Sequence, residues 1–322
     1  MRRFGLAIAG LAAALALTAC GGTGAGGGTT TPAPSSGGEQ SSAPAGDILV
    51  GVAMPTQTSE RWIADGDAVK AGLEEAGYKV DLQFANDDIP TQTQQIDAMI
   101  TGGADLLIIA AIDGTALTSQ LEAAAAKGIK VISYDRLIRD SANVDFYTTF
   151  DNYAVGVAQA TALLYGMGVT DKDGKATGSA EKGQNIELFA GSLDDNNAHF
   201  FWQGAIDTLQ PFLDDGTLVV KSGQTTIEQA ATLRWLQETA QKRMEDILTS
   251  TYGGTGKDLK GVLSPYDGIS RGIITALQGV GLGPTISDGL PIVSGQDAEI
   301  ASVKLIKDDI QHSTIFKDTR KL

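Results

Sequence analysis

The chain of 322 residues contains one cysteine, Cys20, and two histidines, His199 and His312. A single thiol excludes an internal disulfide, a thiolate zinc site and a cysteine nucleophile beyond that position. The two histidines stand far apart in sequence and read as structural or peripheral residues. Basic residues are scarce as well: 24 Lys and Arg against 39 Asp and Glu leave a formal charge of −15. Nucleic acid and anionic lipid both require a Lys/Arg footprint, which this composition withholds. Catalytic signatures are missing too. There is no H-E-x-x-H, and "GGTGKD" (253–258) lacks the spacing and the Ser/Thr of a phosphate-binding loop. "DKDGKATGSAEK" (171–182) fails as a calcium loop, with Ala176 where glycine is needed and Lys182 at the bidentate position. Asp194 and Asp195 are adjacent, so they do not flank a glycosidic bond as hydrolysis demands. No enzyme, metal or cofactor is expected.

What is present begins with export. Arg2-Arg3 precede an Ala/Leu-rich apolar run over 4–17, too short for a comfortable membrane span and suited to a signal peptide. The run ends in "LTACGG", which resembles the lipobox of bacterial lipoproteins and marks Cys20 as the lipidated residue. An ordinary signal peptide with a chance cysteine is the alternative. Residues 21–46, "GGTGAGGGTTTPAPSSGGEQSSAPAG", carry no hydrophobic periodicity and no large apolar side chain, and read as a flexible tether. The expected layout is a signal peptide with lipobox (1–20), the tether (21–46) and a globular body from residue 47. That body would sit outside the cytoplasm, anchored to the outer face of the cell membrane.

Within the body, apolar runs alternate with amphipathic stretches. Strands are expected at 48–54, 79–85, 105–111 and 130–134, with helices at 61–76, 91–102 and 116–127, two of them closing near Gly77 and Gly128. A connecting strand at 145–150 and a helix at 152–166 follow. A second series then runs through strands at 185–191, 217–223, 260–265 and 290–297, separated by helices from about 197, through 231–250 and over 269–279. Strands spaced by helices make parallel βαβ units. The expected fold class is therefore α/β, with two doubly wound parallel-sheet lobes at 47–150 and 151–316.

Open parallel sheets bind ligands beyond the carboxyl ends of their strands. The sequence places polar and aromatic residues at that address in both halves. "VISYDRLIRD" ends a buried strand on Asp135-Arg136, and "SERW" opens a helix on Arg61-Trp62. "DDNNAHF" offers Asp194, Asp195, Asn196 and Asn197; "SPYDG" offers Tyr266 and Asp267; "SGQD" offers Asp297; and "TLRW" sets Trp235 at a helix start. Carboxylates, amides and guanidinium groups around flat aromatic faces suit a neutral ligand rich in hydroxyls. Each residue alone also has a plainer reading: strand-end aspartates cap helices, Asp135-Arg136 can pair on the surface, and tryptophans fill cores.

Taken together, "SERW", "ISYDRLI", "FYTTFDN", "DDNNAHFFWQGA", "TLRW", "SPYDG", "VSGQDAE" and "TIFKDTRKL" run in order from residue 59 to the last residue. In these the body resembles the class I periplasmic sugar-binding proteins, nearest the xylose-binding and multiple-sugar-binding receptors of ABC importers. The resemblance implies a Venus-flytrap fold, a monosaccharide clamped between lobes joined by three hinge strands, and delivery to a permease and its ATPase. It implies ligand contacts at Arg61, Trp62, Asp135, Arg136, Asp195, Asn197, Trp235, Asp267, Asp297 and Lys317, with Trp62 and Trp235 sandwiching the pyranose. Tyr266 stands where xylose-specific relatives carry Asn and multiple-sugar relatives an aromatic, which favours a glucose, galactose or xylose generalist. Relatives continue beyond "FKDTRKL", so residues 317–322 are expected to begin a return to the first lobe, near a third hinge at Lys317. A monomer is expected. The rival reading is a sugar receptor for a chemotaxis or two-component sensor.

Overall fold

The computed structural model describes residues 45–322. The expected signal peptide, Cys20 and nearly all of the expected tether lie outside the described residues. A 3-10 turn, Ala45–Asp47, leads into the first strand.

The first lobe is a five-stranded parallel sheet. Its strands are β1 (Leu49–Met54), β2 (Lys79–Phe84), β3 (Leu106–Ile109), β4 (Lys130–Tyr134) and β5 (Phe146–Thr148), arranged in the order β2-β1-β3-β4-β5. Helices α1 (Glu60–Glu75), α2 (Ile89–Thr101) and α3 (Thr118–Ala126) connect them. Side chains alternate across a strand: Val50, Val52 and Met54 enter one core with Trp62 of α1, whereas Ala53, Leu107, Ile109 and Val131 enter another with Ile96, Met99 and Leu121 of α2 and α3. Both faces are buried, which is why these strands read as continuous apolar runs. Gly77 and Gly128 adopt left-handed φ of 91° and 75° one residue past the caps of α1 and α3, and so turn the chain back toward the sheet.

The second lobe has four parallel strands, β6 (Gln184–Leu188), β7 (Leu218–Val220), β8 (Leu259–Leu263) and β9 (Ile292–Val293), in the order β7-β6-β8-β9. Helices α4 (Asn152–Gly166) and α5 (Asn196–Asp214) cover one face; α7 (Gln237–Tyr252) and α8 (Asp267–Gly279) cover the other. Two shorter helices, α6 (Ile227–Ala230) and α9 (Ile300–Lys307), complete it. Glycines let α4 and α5 approach backbone to backbone: a Cβ at Gly156 would meet the Phe201 carbonyl at 2.1 Å, and one at Gly204 the Tyr153 carbonyl at 2.1 Å. That contact fixes the start of α5 over the cleft.

Two expectations need correction. The stretch 231–250 is not one helix: residues between α6 and α7 form a 3-10 turn, Leu233–Trp235, in which Arg234 and Trp235 have φ of 55° and 59°. Trp235 therefore precedes the helix instead of riding on it. Among the described residues the chain crosses between lobes twice, at 149–151 and at 316–318, so Lys317 lies on a second crossing, not a third. After the second crossing Leu322 joins the core beside β1, and its carbonyl accepts from Thr148 Oγ1.

Candidate functional site

The carboxyl ends of both sheets face a cavity of about 320 Å³ lined from both lobes, at the lower end of the range for small-molecule sites. The first lobe supplies Arg61 and Trp62 from the opening turn of α1, and Asp135 and Arg136 from the end of β4. From the second come Asp195, Asn197 and Phe201 of α5, Trp235, Tyr266, Gln296 and Asp297, with Lys317 on the crossing.

Charge at this site is buried and paired. Arg61 is held between two carboxylates, Nη2 on Asp135 Oδ2 at 2.6 Å and Nε on Asp65 Oδ2 at 3.1 Å, while Tyr134 OH also donates to Asp65. Burial opposes the Arg61 charge, but Asp135, Asp297 and Asp65 outweigh it and raise its pKa. Burial likewise opposes ionisation of Asp135; the adjacent Arg61 and Lys317 overcome it and hold the carboxyl at about 2. Lys317 Nζ pairs with Asp297 Oδ1 at 3.0 Å.

Asp135 and Arg136 also reach across the cleft. Asn197 Nδ2 donates to Asp135 Oδ1 at 3.0 Å and to its carbonyl at 3.1 Å, and Arg136 Nε meets Asp195 Oδ2 at 3.0 Å. Asp195 caps α5 by accepting from the Asn197 amide. Burial raises its pKa against the pull of Arg136. Both halves of the Asp135-Arg136 pair thus bridge the lobes from the end of a strand, where the plainer surface-pair reading does not apply.

The aromatic groups are placed by packing. Trp62 carries two guanidinium groups over its ring, Arg61 at 4.5 Å and Arg136 at 5.0 Å from the centroid. Trp235 meets Phe201 and Tyr266 edge-on at 6.3 and 6.2 Å. Its ring fills the space where a Cβ of Gly191 would stand, 2.0 Å away, and its buried Nε1–H has no acceptor among the described residues. Among the described residues, five of the nine non-glycine residues with positive φ line the cavity: Asp87, Asp135, Arg234, Trp235 and Asp297. Such conformations cost of order 1–3 kcal/mol each and persist where the surroundings enforce them, commonly at functional sites.

Of the ten expected contact residues, nine line the cavity and Asp267 does not. Asp267 is fully buried at the first turn of α8, where Oδ1 accepts from Gln311 Nε2 and Oδ2 from the Glu299 amide and Thr314 Oγ1. Its acceptor oxygens are taken up by residues that follow β9, so it braces the site from behind and Tyr266 takes the lining position. Asp194 is paired with Arg234, and the two histidines sit away from the cavity. Sequence reasoning missed Phe201, four residues after Asn197 and hence on the same face of α5, a spacing that identifies it. It also missed Arg271 and Gln296. Thr56, Asp87, Gln237, Glu238 and Gln241 reach the cavity only because loops and the start of α7 converge there.

Comparison with known proteins adds the following. A family model described as periplasmic binding protein domain matches residues 50–322. The chain is 55% identical over 273 residues to the multiple sugar-binding periplasmic receptor ChvE of Rhizobium radiobacter, covering 85% of this chain and 74% of that one. To the D-xylose-binding periplasmic protein of Escherichia coli it is 36% identical over 276 residues, covering 86% and 74%. Among solved structures, an ABC transporter solute binding protein from Clostridium phytofermentans with bound β-D-glucose matches with a TM-score of 0.77 and 45% identity, over 84% of this chain and 80% of that one.

Proposed function

Because the chain belongs to the periplasmic binding protein domain family, we propose that it is an extracytoplasmic receptor that captures a monosaccharide between its lobes and delivers it to an ABC importer. The observation that carries this reading is the buried, cross-paired set Arg61, Asp135, Arg136, Asp195 and Asn197, in a cavity lined from both lobes and by Trp62 and Trp235. Relatives named for sugar binding support the ligand class.

In this reading Asp135, Asp297 and Asp195 accept from sugar hydroxyls, and Arg61, Arg136, Asn197 and Lys317 donate to hydroxyl and ring oxygens. Trp62 and Trp235 cover the apolar C–H faces of an aldopyranose such as glucose, galactose or xylose, and Trp235 Nε1–H offers a further donor. A hydroxyl missing from the ligand leaves one of these groups unpaired, which is the basis of selection. Because the contacts come from both lobes, the sugar binds the closed form more tightly and shifts the population toward it. The permease and its ATPase then take the sugar from the closed form. The receptor carries out no chemistry, acts as a monomer, and is held to the outer face of the membrane by lipid on Cys20.

The test is a thermal-shift panel on the full chain with D-glucose, D-galactose, D-xylose, L-arabinose, D-ribose and a disaccharide. A ligand at about 100 times its Kd adds about 2.7 kcal/mol of stability. We expect one or more aldoses to raise the melting temperature, and Asp135→Asn and Trp235→Ala each to abolish that rise. A cooperative melt that no sugar moves overturns the reading.

A further inference from the structure

The tetrapeptide Ser59-Glu60-Arg61-Trp62 divides its work. Arg61 and Trp62 are part of the cavity wall already described; Ser59, which also lines the cavity, and Glu60 bond to the other lobe. Ser59 occupies the N-cap of α1, where a serine oxygen ordinarily accepts from an amide of its own helix. Here it makes no such bond, and its hydroxyl donates instead to Glu299 Oε1 at 2.8 Å. Glu299 is itself the N-cap of α9 and does not cap that helix with its side chain. The first amide of α9, Ile300 N–H, is satisfied from the first lobe, by Glu60 Oε2 at 2.8 Å. A helix start in the second lobe is therefore completed by the helix facing it.

Glu299 is the centre of this arrangement. Its side chain is fully buried, and a buried carboxylate needs donors on both oxygens. Oε1 accepts from Ser59 of the first lobe and from Tyr266 OH at 2.9 Å; Oε2 accepts from Arg271 Nη2 at 2.7 Å. Tyr266 and Arg271 both line the cavity. One carboxylate thus bonds at the same time to the opposite lobe and to two side chains of the ligand wall.

We propose that Ser59-Glu60 and Glu299-Ile300 form a cross-lobe clasp, with Glu299 as the positioning residue that ties lobe closure to the placement of Tyr266 and Arg271. The inference rests on the reading that a sugar is held between the lobes. Opening withdraws Ser59 and Glu60 together, so their bonds exist only in the closed form. They oppose opening, and opening must precede release. Ser59 lines the cavity but its hydroxyl is spent on Glu299, and Glu60 stands outside the cavity wall, so both stabilise closure whichever ligand is enclosed. Glu299 also sets the wall, so its removal changes the ranking of ligands.

The test is stopped-flow release of D-glucose, D-galactose and D-xylose, followed by tryptophan fluorescence, on the full chain and on Ser59→Ala, Glu60→Gln and Glu299→Gln. Small-angle scattering of each protein, with and without sugar, accompanies it. A hydrogen bond to a charged group lost from the closed form predicts release about tenfold faster in Ser59→Ala for all three sugars, with Ser59→Thr restoring most of it. Glu60 is exposed, and its variant is expected to speed release by about threefold. Glu299→Gln is expected to speed release and to shift the glucose-to-xylose affinity ratio by about threefold or more. Release from Ser59→Ala within about twofold of the unaltered chain overturns the clasp, and an unchanged ratio in Glu299→Gln overturns its positioning role. If Glu299→Gln does not fold, Tyr266→Phe, which removes only the hydroxyl on Glu299, supplies the ratio measurement. If the unaltered chain binds none of the three sugars, the receptor reading fails and scattering alone decides the clasp. A larger radius in the Ser59→Ala/Glu60→Gln double variant then supports it, and equal radii overturn it.

Discussion

Gly191 shows how much of the site is set by single atoms. The Trp235 ring lies where a Cβ of residue 191 would project, at 2.0 Å, which no real pair of atoms tolerates. Backbone freedom is not the reason for glycine, since φ at this position is not in the left-handed region. Gly191→Ala is therefore expected to displace the indole and leave the fold intact. Calorimetric titration should show sugar affinity reduced by about tenfold or more, with stability lowered by only about 1–3 kcal/mol, the usual cost of overpacking. Unchanged affinity would mean that the indole does not cover the ligand. The same economy governs Asp267, which is buried at a strand end like Asp135 but spends both oxygens on neighbouring loops.

Among the elements, the break between α6 and α7 matters most, because it aims Trp235 and Arg234. It is held from α7 by Arg243, whose guanidinium donates to the carbonyls of Leu188 and Gln229 and to Gln224 Oε1, and stacks over Phe189 at 4.2 Å. Burial pulls the Arg243 pKa down to about 10, with Glu187 opposing, so the residue remains charged at neutral pH. Arg243→Met leaves two carbonyls without their donor while keeping much of the stem. It is expected to lower stability by about 2–4 kcal/mol in chemical denaturation, at 0.5–3 kcal/mol per hydrogen bond lost. Sugar affinity should fall with it, as the 224–236 segment loosens. A stable variant with normal affinity would show that the segment holds its shape without this anchor.

At the scale of the molecule, Asp135 links acid stability to the cleft. Its folded pKa of about 2 lies below the ordinary 3.8, so ionised Asp135 favours the folded state. That contribution, about 2 kcal/mol by linkage, is complete above about pH 5 and disappears as pH falls through about 2. Because Asp135 bonds Asn197 as well as Arg61, acid should loosen the lobe contact along with the fold. Melting temperature measured from pH 7 to pH 2 is expected to fall more steeply in the unaltered chain than in Asp135→Asn. The variant should be the less stable of the two at pH 7, since Arg61 then keeps one carboxylate partner fewer. Parallel slopes for the two proteins would remove Asp135 from the acid response.

The sequence by itself determined the α/β class, the two series of strands and helices, and the address of the site. Parallel strands buried on both faces must be apolar throughout, and their carboxyl ends are where polar residues such as Asp135-Arg136 stand out. Helix starts and glycine stops were legible for the same local reason, as at α1, α3 and α4. Only the tertiary structure decided which polar residues face the cavity. Asp135 and Asp267 look alike in sequence, and the difference between them lies in donors contributed from residues 32 to 62 positions away. The break before α7 was hidden as well, because left-handed backbone at Arg234 and Trp235 is enforced by packing against Gly191 and Ser192 and is not a preference of those residues. The reach of Ser59 and Glu60 to the opposite lobe follows from the position of α9, more than two hundred residues further along the chain, and no local pattern contains it.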